Sequence, residues 1–344
     1  MARASITAAV LEEYGTIARG ALRRYLKVDG DRGAEYLGDA LRDYPERGGR
    51  SLRSSLCIAV ARAFGASIDD ALNSAVALEL FHNAFLVHDD VEDDSEERRG
   101  RPTLHVLHGV PIAINVGDAL AVLSLRPLLD NRNTLGLRMT TCILEEAERM
   151  ARETIEGQAI ELGWRRSNEV DLGEDDYLRM VLKKTCWYTT IFPHRVGALI
   201  GTRSSLDPDE FLHFAFFVGA AFQIQDDVLN LIGNAKRYGK ELDGDLWEGK
   251  RTLMLIHLLN QLERPERERL QAFLGQARET KQPKDVRWIR DLMDRHGSIE
   301  YSREVAHGLA GAATREFERT FAGLPETRDL AFVRELPTWV LERA

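Results

Sequence analysis

The chain has 344 residues, 44% of them apolar and 29% charged, a balance that excludes wholesale disorder and leaves enough chain to bury a large core. Acids outnumber bases by 55 to 46, and the resulting formal charge of −9 argues against a protein that grips nucleic acid by bulk charge. Cys57, Cys142 and Cys186 are odd in number and far apart, which argues against a disulfide framework or a structural zinc site. The first residues gain acids too early for a signal peptide, and no transmembrane segment is read, so a cytoplasmic protein is expected.

In chain order, apolar residues recur at three- and four-residue intervals over 6–27, 54–65, 68–93, 111–128, 137–163, 174–202, 208–232, 251–262, 266–279, 285–296, 299–322 and 327–342, and this spacing predicts helices. The breaks between them are short: Asp29-Gly30-Asp31, Pro45 to Gly49, Arg99 to Pro102, Asn131 to Gly136 and Leu206-Asp207-Pro208. No long linker or composition shift divides the chain. The expectation is all-α: a single-domain helical bundle over 1–344 with a deep central cavity.

The helix predicted over 68–93 ends in His82-Asn83-Ala84-Phe85-Leu86-Val87-His88-Asp89-Asp90-Val91-Glu92-Asp93-Asp94. Helical spacing puts Asp89 and Asp93 on one face, with Asp90 beside them and His82 two turns back. Like charges at this spacing repel, and acids ending an apolar helix are costly unless paired. A divalent cation answers both problems, and oxygen ligands suit Mg²⁺. A solvated acidic helix end is the plainer alternative. The helix over 208–232 repeats the pattern in Phe222-Gln223-Ile224-Gln225-Asp226-Asp227-Val228-Leu229-Asn230, among Phe214, Phe216 and Phe217. Two such helices favour the metal reading, with carboxylates on facing helices of one cavity.

Basic turns flank both segments: Gly48-Gly49-Arg50-Ser51-Leu52-Arg53, Arg98-Arg99-Gly100-Arg101-Pro102, Lys183-Lys184-Thr185, Gly239-Lys240 and Gly249-Lys250-Arg251-Thr252. Acids for Mg²⁺ beside bases for phosphate oxygens describe a diphosphate site. The phosphate-loop pattern of nucleotide hydrolases is absent.

These motifs, in this order, resemble the trans-isoprenyl diphosphate synthases, the polyprenyl synthetase family, over roughly 45–260. Asp89 to Asp93 is similar to the family's first Asp-Asp-x-x-Asp motif. Asp226 to Asn230 is similar to the second, with Asn at its last position. Arg98 to His105, Gly117-Asp118, Gly157-Gln158, Lys184-Thr185 and Phe222-Gln223 also match in order. Gly48 to Ser54 departs at Arg50, Ser51 and Ser54, where the family carries Lys, Arg and Pro.

The resemblance implies a Mg²⁺-dependent prenyltransferase that joins isopentenyl diphosphate head-to-tail to an allylic diphosphate. It implies metal ligation by Asp89, Asp93 and Asp226, supported by Asp90 and Asp227, with three Mg²⁺ ions expected. Isopentenyl diphosphate is expected on Arg50, Arg53, His82 and Arg99. The allylic diphosphate is expected on Arg98, Lys184, Thr185, Gln223, Lys240 and Lys250. Ala84 and Phe85, one turn before Asp89, are expected to set product length, and Ala84 together with the second motif favours geranylgeranyl diphosphate over farnesyl or longer products. A homodimer is expected. A terpene cyclase is disfavoured because Asp226 is followed by Asn230 and then Asn234, and a non-catalytic partner subunit because both acidic motifs are present.

Overall fold

The computed structural model describes residues 6–27, 34–233 and 243–343. Helices run in order as α1 (Ile6–Leu22), α2 (Glu35–Glu46), α3 (Leu52–Ala63), α4 (Ile68–Glu92), α5 (Leu104–His108), α6 (Val110–Leu123), α7 (Leu125–Asp130), α8 (Gly136–Ser167), α9 (Glu174–Val181), α10 (Phe192–Thr202) and α11 (Leu212–Ile232). Further helices follow at Gly244–Glu248, Leu253–Gln261, Arg264–Leu274, Pro283–Arg295, Ser298–Thr320 and Arg328–Glu342. The all-α expectation holds. The one sheet among the described residues is a hairpin of β1 (Glu97–Arg98) and β2 (Arg101–Pro102), paired Glu97 to Pro102 and Arg98 to Arg101.

Three local features differ from the periodicity reading. Glu35–Glu46 is a helix although Pro45 and Gly48-Gly49 mark a break; Pro45 falls in its last turn, after Ala40, Leu41 and Tyr44 have buried one face. The stretch read as one helix over 111–128 divides at Ser124 into α6 and α7. The stretch read over 174–202 passes through a π-helix, Leu182–Ile191, between α9 and α10. Each residue there bonds five positions back, a widened turn that is uncommon over such a length.

The described residues group into two compact units. The first comprises the described parts of Met1–Ala151, Tyr188–Ala215 and Thr314–Leu336. Its centre is α4, which begins with a capping box: the Ser67 hydroxyl accepts from Asp70 N–H, and the Asp70 carboxylate accepts from Ser67 N–H at 3.0 Å. Asp69 and Asp70 also favour this helix end through its dipole. Helix α4 packs against α3 and α6, and Leu22, Leu41, Tyr44, Leu80, Val87 and Leu120 form part of the surrounding core. Each such side chain contributes roughly 1.5–3 kcal/mol on burial.

The second unit comprises the described parts of Arg152–Trp187, Phe216–Ala313 and Pro337–Ala344. Its core joins Val228 and Leu231 of α11 to Leu246, Leu255, Leu270 and Ile289.

By length and composition alone, the helical stretch Val110–Asn133 is apolar enough to cross a membrane, although Asp118 and Arg126 interrupt its apolar run. The apolar residues there divide between two faces. Ala113, Val116 and Leu120 are buried, whereas Val110, Ile114, Val122, Leu125 and Leu129 are exposed. Length and composition of one such stretch are weak grounds for a span.

Candidate active site

The first acidic group closes α4. Asp90 is fully buried, and its carboxylate is enclosed by two donors. Tyr44 OH donates to Oδ2 at 2.5 Å, and Arg98 Nε donates to both oxygens at 3.0 and 3.1 Å, with a further bond from Arg98 Nη2. Burial opposes the Arg98 charge, but pairing with Asp90 and then Asp89 outweighs it and holds the guanidinium protonated. The hairpin delivers Arg98 to this point through a two-residue turn, Arg99-Gly100, whose φ angles are both positive (55° and 71°), the geometry that suits tight hairpins. Arg98 Nη2 also lies 3.5 Å from Asp89 Oδ2. Asp89 remains partly exposed, while Asp93 at the helix end is 1% exposed.

A basic group forms beside it in the same unit. Arg53 Nη1 lies 3.3 Å from His82 Nε2, and Arg53 Nη2 donates to Thr189 Oγ1 at 2.9 Å. The Arg53 guanidinium sits 4.4 Å from the Tyr188 ring centre, and the His82 ring stacks on Tyr188 at 5.9 Å between ring centres. Burial, followed by Arg53, Arg99 and Arg98, holds the His82 imidazole well below its ordinary range and therefore neutral. Arg99 donates to Tyr44 O at 3.2 Å, and burial pushes its guanidinium down to about 10, aided by Arg98. A Cβ at Gly49 would lie 2.9 Å from Arg99 Nη2, so the glycine turn gives Arg99 its room. Arg53, His82 and Arg99 are thus brought together, whereas Arg50 is exposed at the entry to α3.

Ala84 and Phe85 point to different surroundings. Ala84 is buried in the core of the first unit. Phe85 belongs to an aromatic group, 4.6 Å from Phe81 and 6.0 Å from Tyr188 between ring centres.

The second acidic group lies on α11 in the second unit. Asp227 is buried and accepts from Tyr177 OH and from Gln223 Nε2, each at 2.7 Å. Gln223 Oε1 in turn accepts from Thr185 Oγ1 at 2.9 Å. Burial raises the Asp227 carboxyl above the usual carboxylate range against those two hydrogen bonds, and Asp226 and Glu161 push the same way. A cation nearby would relieve that cost. Asp226 has a side chain 38% exposed and pairs with Arg343 at 3.2 Å. Arg343 also donates to Phe222 O at 3.0 Å and lies 3.7 Å from the Phe222 ring centre.

Asn230, where the second motif departs from aspartate, is buried. Its Oδ1 accepts from Asp245 N–H at 3.1 Å, and its carbonyl accepts from Asp243 N–H at 3.0 Å. It therefore anchors the start of the Gly244–Glu248 helix. Lys184 pairs with Glu161, and Lys250 with Glu248 at 2.8 Å. Lys240 lies outside the described residues, as does Asn234.

Sequence reasoning missed several residues that touch these groups. Tyr44 and Tyr177 each hold the second aspartate-pair member of a motif, and Tyr188 bridges the basic and aromatic groups. Lys281, 5% exposed, donates to Leu246 O at 3.2 Å and Trp247 O at 2.6 Å, while Arg251 donates to Gly249 O at 2.5 Å. These two cations bind the turn that carries Lys250. Arg251 already stood in the basic turn Gly249–Thr252, and Tyr188 lies four residues after Lys184, a helical spacing that offered a signal; Tyr44, Tyr177 and Lys281 had none.

The acidic groups offer oxygen donors in ones and twos. Among the described residues, no three histidine, cysteine or acidic side chains cluster as a self-sufficient metal site. Oxygen donors of this kind fit a cation such as Mg²⁺, which keeps waters and completes its shell with substrate phosphates.

A sequence model of the polyprenyl synthetase family matches residues 34–293. A short chain isoprenyl diphosphate synthase of Methanothermobacter thermautotrophicus is 33% identical over 259 residues, covering 75% of this chain and 77% of the relative. A geranylgeranyl pyrophosphate synthase of Geoglobus acetivorans is 31% identical over 308 residues, covering 88% and 90%. Among solved structures, geranylgeranyl pyrophosphate synthetase from Pyrococcus horikoshii superposes with a TM-score of 0.84 at 28% identity, covering 98% of each chain.

Proposed function

Since the chain belongs to the polyprenyl synthetase family, we propose that it is a Mg²⁺-dependent prenyltransferase that condenses isopentenyl diphosphate head-to-tail with an allylic diphosphate, giving geranylgeranyl diphosphate as its main product. What carries this reading is the pairing, within one unit, of the Asp89–Asp93 end of α4 with the Arg53–His82–Arg99 group, in which two half-buried arginines face a buried histidine. A synthase needs an anion pocket for a second diphosphate, and a cyclase does not.

In this reading Asp89 and Asp93 on α4, and Asp226 on α11, would be the ligands for up to three Mg²⁺ ions, and bound Mg²⁺ would supply Lewis acidity toward the departing diphosphate. Arg53, Arg99 and the exposed Arg50 hold the isopentenyl diphosphate. Neutral His82 contributes a hydrogen bond and no charge. Arg98, Lys184, Thr185, Gln223, Lys240 and Lys250 contact the allylic diphosphate. Tyr44 and Arg98 fix Asp90, and Tyr177 and Gln223 fix Asp227, so these two acids orient the motifs. Cleavage of the C–O bond releases diphosphate from the allylic substrate and leaves an allylic cation; the isopentenyl double bond attacks it, forming the new C–C bond, and the isopentenyl unit then loses a proton to the released diphosphate. Phe81, Phe85 and Tyr188 keep water from the cation and limit the growing tail.

We further propose a cytoplasmic homodimer. Supporting a reducing compartment, none of Cys57, Cys142 and Cys186 is in a disulfide. Supporting the dimer, Val110, Ile114, Val122, Leu125 and Leu129 expose an apolar face on α6 and α7. Assay of isopentenyl diphosphate with farnesyl diphosphate tests the metal dependence: turnover should need Mg²⁺ and stop with a chelator, and turnover unaffected by chelation would refute this reading.

A further inference from the structure

One face of α8 grips the π-helix at its two lysines. A Cβ built on Gly157 would lie 2.1 Å from Lys184 N, 2.5 Å from Lys184 Cα and 2.7 Å from Lys183 C. These are backbone atoms, so no flexible side chain can step aside. The backbones meet because position 157 has no side chain. Gly163 on the same helix is different: a Cβ there would meet nothing within 4 Å.

The residues around Gly157 complete the grip. Lys183 Nζ pairs with Glu153 at 2.6 Å and Glu156 at 2.7 Å, and Lys184 pairs with Glu161. Glu153, Glu156, Gly157 and Glu161 follow helical spacing and share one face of α8. The contact falls on the third residue of the π-helix, next to Thr185, whose hydroxyl begins the hydrogen-bonded chain through Gln223 to Asp227. Glycine is unfavourable inside a helix, and here close approach is the physical reason for it.

We infer that Gly157 is a positioning residue: the notch it leaves in α8 sets where the π-helical backbone presents Lys184 and Thr185 to the allylic diphosphate. This rests on the proposed contact of those two residues with that substrate. Alanine at 157 forces the Lys184 backbone out by more than an ångström to reach an ordinary contact of 3.4 Å. Misplacement on that scale can cost roughly tenfold to a hundredfold.

The test compares Gly157→Ala, Gly163→Ala, Lys184→Ala and the Gly157→Ala/Lys184→Ala double variant, by kcat, KM for each diphosphate and thermal melting. Gly157→Ala is expected to raise the allylic KM by about tenfold or more while the isopentenyl KM stays within about twofold. Gly163→Ala should match the parent. The double variant should be no worse than Lys184→Ala alone, because both changes act on one contact. Should Gly157→Ala fail to fold, Glu161→Gln loosens Lys184 without entering the backbone, and it too should raise the allylic KM. Gly157→Ala behaving like Gly163→Ala, or, where it does not fold, Glu161→Gln leaving the allylic KM unchanged, overturns the inference. An allylic KM unchanged in Lys184→Ala would instead overturn the substrate contact on which it rests.

Discussion

Asp90 and Arg98 form a closed, buried pair at the end of α4, with Arg98 Nε 3.0 and 3.1 Å from the two carboxylate oxygens and Tyr44 OH filling a remaining site. Neighbouring Asp89 is partly exposed and meets Arg98 at 3.5 Å. Two adjacent acids of one motif therefore have different work. Asp90→Asn breaks a buried ion pair and should destabilise the fold by about 3–5 kcal/mol. Asp89→Asn should abolish turnover with little change in melting. Thermal denaturation of both variants beside their activities checks this; equal melting losses would contradict it.

Arg343 places a positive charge 3.2 Å from Asp226. If Asp226 is a metal ligand, that charge opposes a cation. Arg343→Gln should therefore tighten Mg²⁺ binding measured by calorimetry with inorganic pyrophosphate present. Weaker or unchanged Mg²⁺ binding would remove Arg343 from the metal's surroundings.

Lys281 gives a pH-dependent stability. Burial, then Arg165, Arg251 and Arg278, pushes its ammonium from 10.5 down to about 8, with Glu248 opposing. The folded chain holds this proton less tightly than the unfolded chain. Its stabilising contribution is thus fully present above about 10.5 and is lost as pH falls through about 8. Denaturant unfolding of the parent and Lys281→Met should show the parent gaining on the variant as pH rises through this window. A constant difference would show that Lys281 keeps an ordinary proton affinity.

Phe85 stacks with Tyr188 and meets Phe81 at a tilt, while Ala84 lies in packed core. Phe85→Ala should lengthen the product, and Ala84→Phe should shorten it, although the larger ring also strains the core by about 1–3 kcal/mol. Mass spectrometry of the dephosphorylated products reads both. A product distribution unchanged in both variants would move the length control elsewhere.

Periodicity made most helices legible, because core-facing residues repeat with the helical turn. It failed at α2, where Pro45 resembles a stop signal but falls in a last turn that still accepts it. It failed at the π-helix, because a ten-residue change of hydrogen-bond register does not alter which residue types are apolar. Both acidic motifs were legible from spacing. Their supports were not, since Tyr44 meets Asp90 across 46 residues and Tyr177 meets Asp227 across 50. Asn230 stood out as a departure, but its use as an anchor depends on Asp245 N–H, which no spacing rule reveals.

The most direct measurement is the mass of the product formed from isopentenyl diphosphate and farnesyl diphosphate with Mg²⁺. Geranylgeranyl diphosphate is expected from the parent and should be absent with Asp89→Asn. A cyclic hydrocarbon made from the allylic diphosphate alone, or no condensation by the purified chain, would contradict it.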